Sequence, residues 1–141
     1  MRLRKRRVSA LKITRAVITA AGRNRRTLPL QTLIDRDGNQ RSVLAIILNE
    51  VWQAGIEECC LVICPGDEAA YREAAEHHAE RLRFVTQDEP LGYGHAVYCA
   101  RPFVDDQPFL HMMSDHIYLS DSNLSNLGCA SQLVQTAVAH S

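Results

Sequence analysis

Hydrophobic positions along the chain fall into two patterns: short continuous runs, and longer stretches in which apolar residues recur at helical spacing. The continuous runs predict buried strands at residues 15–20, 59–64, 82–86 and 109–113. The spaced stretches predict helices at residues 43–54, 67–79, 95–101 and 126–139. Apolar strands that alternate with helices are typical of a parallel sheet covered on both faces. The sequence therefore predicts an α/β fold, an open, doubly wound, mostly parallel sheet with helices on both faces.

The segment 43–54 has the clearest helical pattern. Its apolar residues recur three or four positions apart, at Val43, Leu44, Ile47, Leu48 and Val51. Ser42 is predicted to cap this helix and Gly55 to end it. Upstream, the dipeptide Asp37-Gly38 favours the tight turn of a short hairpin, because such turns need positive φ angles.

Charge is unevenly distributed along the chain, although the formal net charge is zero. Residues 1–41 hold 12 Lys or Arg and 2 acidic residues, whereas residues 42–141 hold 4 Arg and 14 acidic residues. A basic segment indicates an anionic partner, for which phosphate, nucleic acid and a membrane surface are candidates. We expect residues 1–13 to be a disordered basic tail, with a targeting segment as the alternative, and residues 14–141 to form one domain.

Hydropathy and cysteine content indicate the compartment. No apolar run approaches the roughly 18 residues that a membrane-spanning helix requires, so we expect a soluble protein with no membrane partner. The five cysteines are odd in number, and Cys59, Cys60 and Cys64 lie in or beside one apolar run. This is typical of buried thiols in a reducing compartment, so we expect the cytoplasm.

Two adjacent histidines, His77 and His78, fall in the predicted helix 67–79. Neighbouring side chains on a helix point about 100° apart, so the two rings cannot easily share one metal ion. We therefore expect both to face solvent.

Candidate binding residues follow three of the predicted strands. In open parallel α/β sheets, ligands bind beyond the carboxyl ends of the strands. Gly22 with its arginines, residues 87–92 and Asp115 all occupy such positions. We therefore expect the three segments to converge on one crevice.

Two of these segments suit phosphate chemistry, although each also has a simpler interpretation. Gly22 permits a turn whose N–H groups hold an anion beside Arg25 and Arg26, but an ordinary basic surface turn has the same composition. Asp115 is suited to holding Mg²⁺ against phosphate oxygens, but an ordinary loop acid or a helix cap would show the same local sequence.

The segment around Gln87 is more informative. A side-chain amide offers both a donor and an acceptor to a nucleobase edge, and nearby glycines let a planar base lie against the main chain. A turn leading into a helix would explain Pro90 and Gly92, but not the whole of residues 87–97.

Four sequence blocks, in order over about residues 13–121, carry a family resemblance. They are residues 16–22 with Arg26 and Leu28-Pro29, residues 54–58, Gln87 with residues 89–97, and Ser114-Asp115. Together they resemble the sugar-nucleotide pyrophosphorylases, the nucleotidyltransferase family that includes the bacterial-type UTP-glucose-1-phosphate uridylyltransferases. The third block is the most specific.

The resemblance implies a Rossmann-like nucleotidyltransferase fold and a reaction. A uridylyl group would pass from UTP to a sugar 1-phosphate, expected to be glucose 1-phosphate, with release of pyrophosphate and with Mg²⁺ as cofactor. Implied nucleotide-binding residues are Ala20, Ala21, Gly22, Gln87, Pro90 and Gly92. Implied phosphate-binding residues are Arg25 and Arg41; Arg26 and Asp115 are implied to be catalytic, and Asp115 to hold the metal.

The sequence departs from the family pattern in four respects. Asn24 stands where the family has the second glycine of its first loop. In the family lysines follow that loop, whereas residues 30–33 contain no lysine. Arg41 stands where the family tends to have a lysine, and keeps the charge but not the compact geometry. The family also continues beyond the position of Ser141, so the resemblance implies an incomplete domain with impaired turnover and an exposed sheet edge through which copies could associate.

A second hypothesis is a noncatalytic nucleotide-binding or regulatory module whose basic residues 1–41 bind nucleic acid or an acidic protein. It predicts a steep loss of affinity with salt and no dependence on Gln87. Residues 1–41 contain no aromatic residue that could stack on bases, which disfavours nucleic acid as the partner.

Overall fold

The computed structural model describes residues 10–22, 27–121 and 127–141. Most of the predicted basic tail lies outside these residues, as do Asn24, Arg25 and Arg26. The elements are, in chain order, β1 Arg15–Thr19, α1 Thr27–Leu30, β2 Thr32–Ile34, β3 Gln40–Ser42, α2 Val43–Gln53, β4 Glu58–Ile63, α3 Glu68–Ala74, a 3₁₀ helix Glu76–Arg81, β5 Leu82–Thr86, α4 Tyr93–Cys99, α5 Arg101–Val104, β6 Phe109–Met113 and α6 Cys129–Ala139.

The described part of the chain contains a four-stranded sheet in the order β5-β4-β1-β6. All its pairings are parallel, with Thr19 opposite Val62 of β4 on one side and Met113 of β6 on the other. The four predicted strands are therefore confirmed. Since parallel strands end at the same edge, the segments after β1, β5 and β6 emerge together.

Both faces of the sheet are buried, as predicted. Alternate residues of β1 point to opposite faces, so Ile18 packs with residues of α2, α3 and α6, while Val17 packs with residues of α4 and α5. In β4, five consecutive residues from Cys59 to Ile63 are fully buried. The continuous apolar run at β4 is thus the sequence signature of a strand covered on both sides.

The ends of α2 follow the predicted signals. The Ser42 hydroxyl accepts a hydrogen bond from the Ala45 N–H at 2.9 Å, which satisfies one of the unpaired donors of the first turn. Gly55 follows the helix with φ +83°, a conformation that glycine adopts without a Cβ penalty. The predicted hairpin is formed by β2 and β3, with Gly38 in its turn at φ +81°.

The helix predicted at residues 67–79 is interrupted. It forms α3 and then a 3₁₀ helix, whose first residue, Glu76, has a positive φ of 53°. The Glu76 carboxylate accepts a hydrogen bond from the Ser42 N–H at 3.2 Å and lies 3.9 Å from the Arg41 guanidinium. These contacts place a negative charge at the start of α2, where the helix dipole favours it, and they hold the strained residue in place.

The break at Glu76 makes the prediction for His78 wrong. His77 is exposed, but His78 is only 6% exposed. Its Nδ1 accepts a hydrogen bond from the Trp52 indole N–H at 3.1 Å. Burial is the main cause that lowers the pKa of His78 to about 4, followed by the positive charge of neighbouring groups.

The remaining helices differ from prediction in their limits. The short α1 was not predicted, and the helix predicted at 95–101 begins earlier, at Tyr93, and is followed by a separate α5.

All five cysteines lie in the described part of the chain, where they are free thiols. Burial raises the pKa of the Cys60 thiol to about 12, so this group is inert. None of the helices among the described residues is both long and apolar enough to cross a bilayer.

Candidate functional site

A cavity of about 440 Å³ opens at the carboxyl edge of the sheet. The three segments predicted to converge there all line it. Its walls are formed by Thr19, Ala20, Ala21, Gly22, Gln87, Pro90, Gly92, Tyr93, Ala96, Met113, Ser114 and Asp115. All six residues proposed from the sequence to contact the nucleotide, and Asp115, therefore share one cavity.

The corner after β5 is organised by the Gln87 side chain, which is 6% exposed. Its Nε2 donates to the Gly92 carbonyl oxygen at 3.0 Å and contacts His95 Nδ1 at 2.9 Å. Because an amide nitrogen is only a donor, His95 Nδ1 must accept, which places the imidazole proton on Nε2. Both Gln87 donors are thus engaged by the protein, and the amide oxygen is the atom left to meet a donor on a ligand.

Gly92 is placed at this corner because of its backbone conformation. It precedes α4 with φ +98° and ψ 179°, a combination open essentially to glycine alone. A Cβ built there would meet no heavy atom within 4 Å. The glycine is therefore required for the turn rather than for close packing, and it leaves the main chain accessible from the cavity.

The floor of the cavity is the end of β1. The Ala20 N–H donates to the Val62 carbonyl oxygen at 2.7 Å, which extends the pairing with β4 beyond the strand. From behind, the Tyr71 hydroxyl donates to the Ala20 carbonyl oxygen at 3.2 Å and the Cys64 thiol to that of Ala21 at 3.2 Å. Small side chains on a fixed backbone give a planar group close access to the main chain.

Asp115 stands at the opposite end of the sheet edge from Gln87. It follows β6, and the side chain is 13% exposed. Its Oδ1 lies 2.7 Å from Nδ1 of the exposed His116. His116 therefore helps to orient the carboxylate at the cavity wall. An anionic ligand bound there would need a cation between it and the carboxylate.

The structure does not bring Arg41 to this cavity. Its guanidinium pairs with Asp35 at 3.2 Å and lies 3.9 Å from Glu76, and it lines a separate polar groove between the β2–β3 hairpin and α3. Backbone hydrogen bonds, above all that from Asn39, lower the pKa of Asp35 and keep it charged as a partner for Arg41. Arg25 and Arg26 lie outside the described residues, so their roles stay predictions from the sequence.

Sequence reasoning missed several residues of the cavity wall. Thr19 and Met113 are the last residues of β1 and β6, and their strand-end position was the available signal. Tyr93 falls within the third sequence block, residues 89–97, but no role was predicted for it. Its hydroxyl lies 3.2 Å from Nδ1 of His111 on β6, a contact between residues 18 positions apart that no local pattern indicates.

The donor set at Asp115 fits Mg²⁺ only together with a ligand. Within the described residues, no cluster of three or more His, Cys, Asp or Glu side chains could hold a metal ion. Mg²⁺ at phosphate sites is commonly bound by one or two carboxylates together with phosphate oxygens and water. One carboxylate at the rim of the cavity therefore suits a metal that arrives with a nucleotide, rather than a preformed protein cage.

The fold and the cavity define the class of protein: an open parallel α/β domain with a cavity at the carboxyl edge of the sheet, which is where ligands bind in such folds. The family model for nucleotidyl transferases matches residues 15–136. The chain therefore belongs to the nucleotidyl transferase family.

Curated relatives agree with this assignment. The chain is 27% identical over 137 residues to the UTP–glucose-1-phosphate uridylyltransferase of Bacillus subtilis, covering 79% of this chain and 47% of that enzyme. It is 26% identical over 145 residues to the enzyme of the same name from Escherichia coli K12, covering 80% of this chain and 47% of that enzyme. The chain spans about half the length of the curated relatives it matches.

Solved structures share the fold. A UTP-bound UGPase from Acinetobacter baumannii superposes with a TM-score of 0.69 at 21% identity, over 91% of this chain and 53% of that one. An apo UDP-glucose pyrophosphorylase gives a TM-score of 0.73 at 14% identity, over 92% of this chain and 56% of that one. At these identities the likeness establishes the fold, so the ligand of this chain must be argued from its own cavity.

Proposed function

We propose that this chain forms the nucleotide-binding part of a nucleotidyltransferase that uses UTP and a sugar 1-phosphate, with glucose 1-phosphate as the expected acceptor. The observation that carries the proposal is the shared cavity of Gln87, Gly92 and Asp115. The names of the Bacillus subtilis and Escherichia coli relatives support it. The free cysteines suit a reducing compartment, and we propose the cytoplasm.

The base is proposed to bind at the corner after β5. The Gln87 amide oxygen, whose nitrogen is already engaged, accepts a hydrogen bond from a donor on the base edge. The uracil N3–H is such a donor, whereas the corresponding ring nitrogen of cytosine has no proton and can only accept. A fixed acceptor that faces N3 therefore favours uracil over cytosine, because cytosine would place its N3 acceptor against the amide oxygen and leave a buried polar group unpaired.

The phosphates are proposed to extend from the base corner across Ala20–Gly22 towards Asp115. Arg26, and Arg25 beside it, supply positive charge to them by the sequence resemblance. Mg²⁺ held by the Asp115 carboxylate and phosphate oxygens would neutralise charge on the triphosphate. Arg41 is paired with Asp35 and Glu76 outside the cavity. It would have to give up these ion pairs to bind the phosphates.

The reaction proposed is an in-line displacement. The phosphate oxygen of the sugar 1-phosphate attacks the α-phosphorus of UTP, the bond to the bridging oxygen breaks, and pyrophosphate leaves with its electron pair. No covalent intermediate with the protein is needed, so the protein contributes positioning and charge neutralisation. Gln87 and Gly92 fix the nucleoside, and Asp115 and Arg26 act at the phosphates.

Calorimetric titration with UTP, CTP and ATP in the presence of Mg²⁺ tests the proposal. We expect UTP to bind more tightly than CTP by about tenfold, the value of one well-placed polar contact. Substitution Gln87→Leu should remove this preference. Binding that ignores the base, resists substitution of Gln87 and falls steeply with salt would instead favour a basic module for nucleic acid or an acidic partner.

A further inference from the structure

Three polar side chains form a hydrogen-bonded chain in the cavity wall. The Tyr93 hydroxyl lies 3.2 Å from His111 Nδ1, and His111 Nε2 lies 3.2 Å from Thr19 Oγ1. The Tyr93 and His111 rings are 5.3 Å apart, centre to centre. Tyr93 and Thr19 both line the cavity, and His111 bridges them from the adjacent strand.

The parallel register explains why these residues meet. Val17 of β1 lies opposite His111 of β6, and Thr19 lies opposite Met113. Thr19 and His111 are therefore diagonal neighbours on one face of the sheet, the face covered by α4. Tyr93 is the first residue of α4 and reaches down to this face.

The chain of three lies between the two ends of the cavity. Tyr93 directly follows Gly92, which is tied to Gln87. His111 lies on β6, four residues before Asp115. Tyr93 thus spans from the base corner towards the strand that carries the proposed metal ligand.

His111 fixes the tyrosine hydroxyl whichever tautomer it adopts. Burial lowers the pKa of His111, so the ring is neutral near neutral pH, with one nitrogen donating and the other accepting. If Nδ1 donates to Tyr93, the hydroxyl proton of the tyrosine can be donated to a ligand. If Nδ1 accepts from Tyr93, a lone pair of the hydroxyl oxygen faces the ligand. In both cases the hydroxyl can still form a hydrogen bond with a ligand, and its orientation is set by His111.

We propose that Tyr93 is a specificity-determining residue that hydrogen-bonds a sugar hydroxyl of the bound nucleoside triphosphate, and that His111 and Thr19 are positioning residues that act through it. The inference rests on the proposed function. In a nucleotide the sugar lies between base and phosphates, as Tyr93 lies between Gln87 and the β6 strand end. The hydroxyls are the polar groups that the sugar presents there.

Affinities for UTP, 2′-deoxy-UTP and 3′-deoxy-UTP, measured by calorimetry with Mg²⁺, test the proposal. The wild-type chain should bind UTP more tightly than one of the deoxy analogues by about fivefold, as expected for one neutral hydrogen bond. Substitution Tyr93→Phe should lower the affinity for UTP by the same factor and leave the affinity for that analogue unchanged. The variant should therefore no longer discriminate between the two nucleotides. Tyr98→Phe is the control, because Tyr98 is on the same helix but does not line the cavity.

Substitutions of the positioning residues separate their role from general support of the fold. His111→Leu and Thr19→Val should reduce the discrimination, with no further loss when His111→Leu is combined with Tyr93→Phe. His111→Gln, which keeps a donor and an acceptor, should restore part of it. Circular dichroism and thermal unfolding identify any variant that has lost its fold.

Two results would overturn the proposal in distinguishable ways. Equal weakening of all three nucleotides by Tyr93→Phe in a folded protein would show that the tyrosine only supports the wall, and would leave the proposed function standing. Absence of UTP binding by the folded wild-type chain would remove the proposed function and this inference together.

Discussion

The side-chain amide of Gln87 donates a hydrogen bond to the main-chain carbonyl oxygen of Gly92, 3.0 Å away. This bond closes the loop after β5 on itself and fixes the residue with the most restricted backbone conformation at the cavity. Since the second amide proton points to His95, the orientation of the amide is determined from two sides. The corner is therefore built before any ligand arrives, which reduces the entropy lost on binding.

Gln87→Leu should impair both the corner and the site. The leucine has a similar size but leaves the Gly92 carbonyl and His95 Nδ1 without their donor, at a cost to the free energy of unfolding of about 1–3 kcal/mol. UTP affinity should fall by about tenfold or more. Chemical denaturation and calorimetry measure the two effects. Gln53→Leu, at an exposed position on α2, should change neither; an unchanged affinity for Gln87→Leu would contradict the role of the corner.

Gly92→Ala should weaken binding beyond its effect on stability. A Cβ meets no neighbour at Gly92 or at Gly66, and both have positive φ, +98° and +85° respectively. Each substitution should therefore lower the free energy of unfolding by about 1–2 kcal/mol through backbone strain alone. Of these two glycines, only Gly92 lines the cavity, so only Gly92→Ala should also reduce UTP affinity. Equal affinities for the two variants would argue against a nucleotide beside Gly92.

Asp115→Asn should remove the effect of Mg²⁺ on UTP binding. The amide keeps the shape of the side chain but not the charge that a hard cation requires. With Mg²⁺, affinity for UTP should fall by about tenfold, whereas without Mg²⁺ it should stay the same or rise, because a negative charge near the phosphates is lost. Calorimetry with and without EDTA measures the difference. Asp106→Asn, at an exposed loop position, is the control, and a Mg²⁺ effect that survives Asp115→Asn would rule the residue out as a ligand.

Acid should destabilise the protein through His78. Its pKa is lowered from 6.5 to about 4 in the folded chain, so between these values the unfolded state binds a proton that the folded state does not. The free energy of unfolding is then fully retained above about pH 6.5 and falls as the pH drops towards 4, by up to about 3 kcal/mol.

The fluorescence of Trp52, the single tryptophan, follows this unfolding because its indole contacts His78. His78→Gln keeps an acceptor for the indole N–H and does not titrate, so urea unfolding of this variant should show a smaller loss of stability between pH 7 and pH 5. His77→Gln, at the exposed neighbour, should behave more like the wild type. Identical pH dependence for His78→Gln and the wild type would show that another group is responsible.

The parts of the structure that local patterns encode were predictable. The strand at β4 is a continuous apolar run, and the limits of α2 are set by Ser42 and Gly55, whose effects depend only on the residues next to them. The general rule that parallel strands end at one edge then placed Gln87, Gly22 and Asp115 on one cavity.

The parts of the structure that depend on contacts between distant residues were not predictable from local patterns. The break before His78 is held by Glu76, which bonds to Ser42, 34 positions away in the sequence, and without that contact the pattern there reads as one helix. The link between Tyr93 and His111 joins a helix start to a strand interior. Arg41 has the charge expected of a phosphate ligand, but its pairing with Asp35 follows from the fold of the β2–β3 hairpin.

Nuclear magnetic resonance titration with UTP and Mg²⁺ tests most directly whether the three strand-end segments form one nucleotide site. The backbone amide signals of Gly22, Gly92 and Asp115 should shift together, with a single dissociation constant, while that of Arg41 in the separate groove remains in place. Shifts confined to one of the three segments, or centred on the Arg41 groove, would contradict a common site.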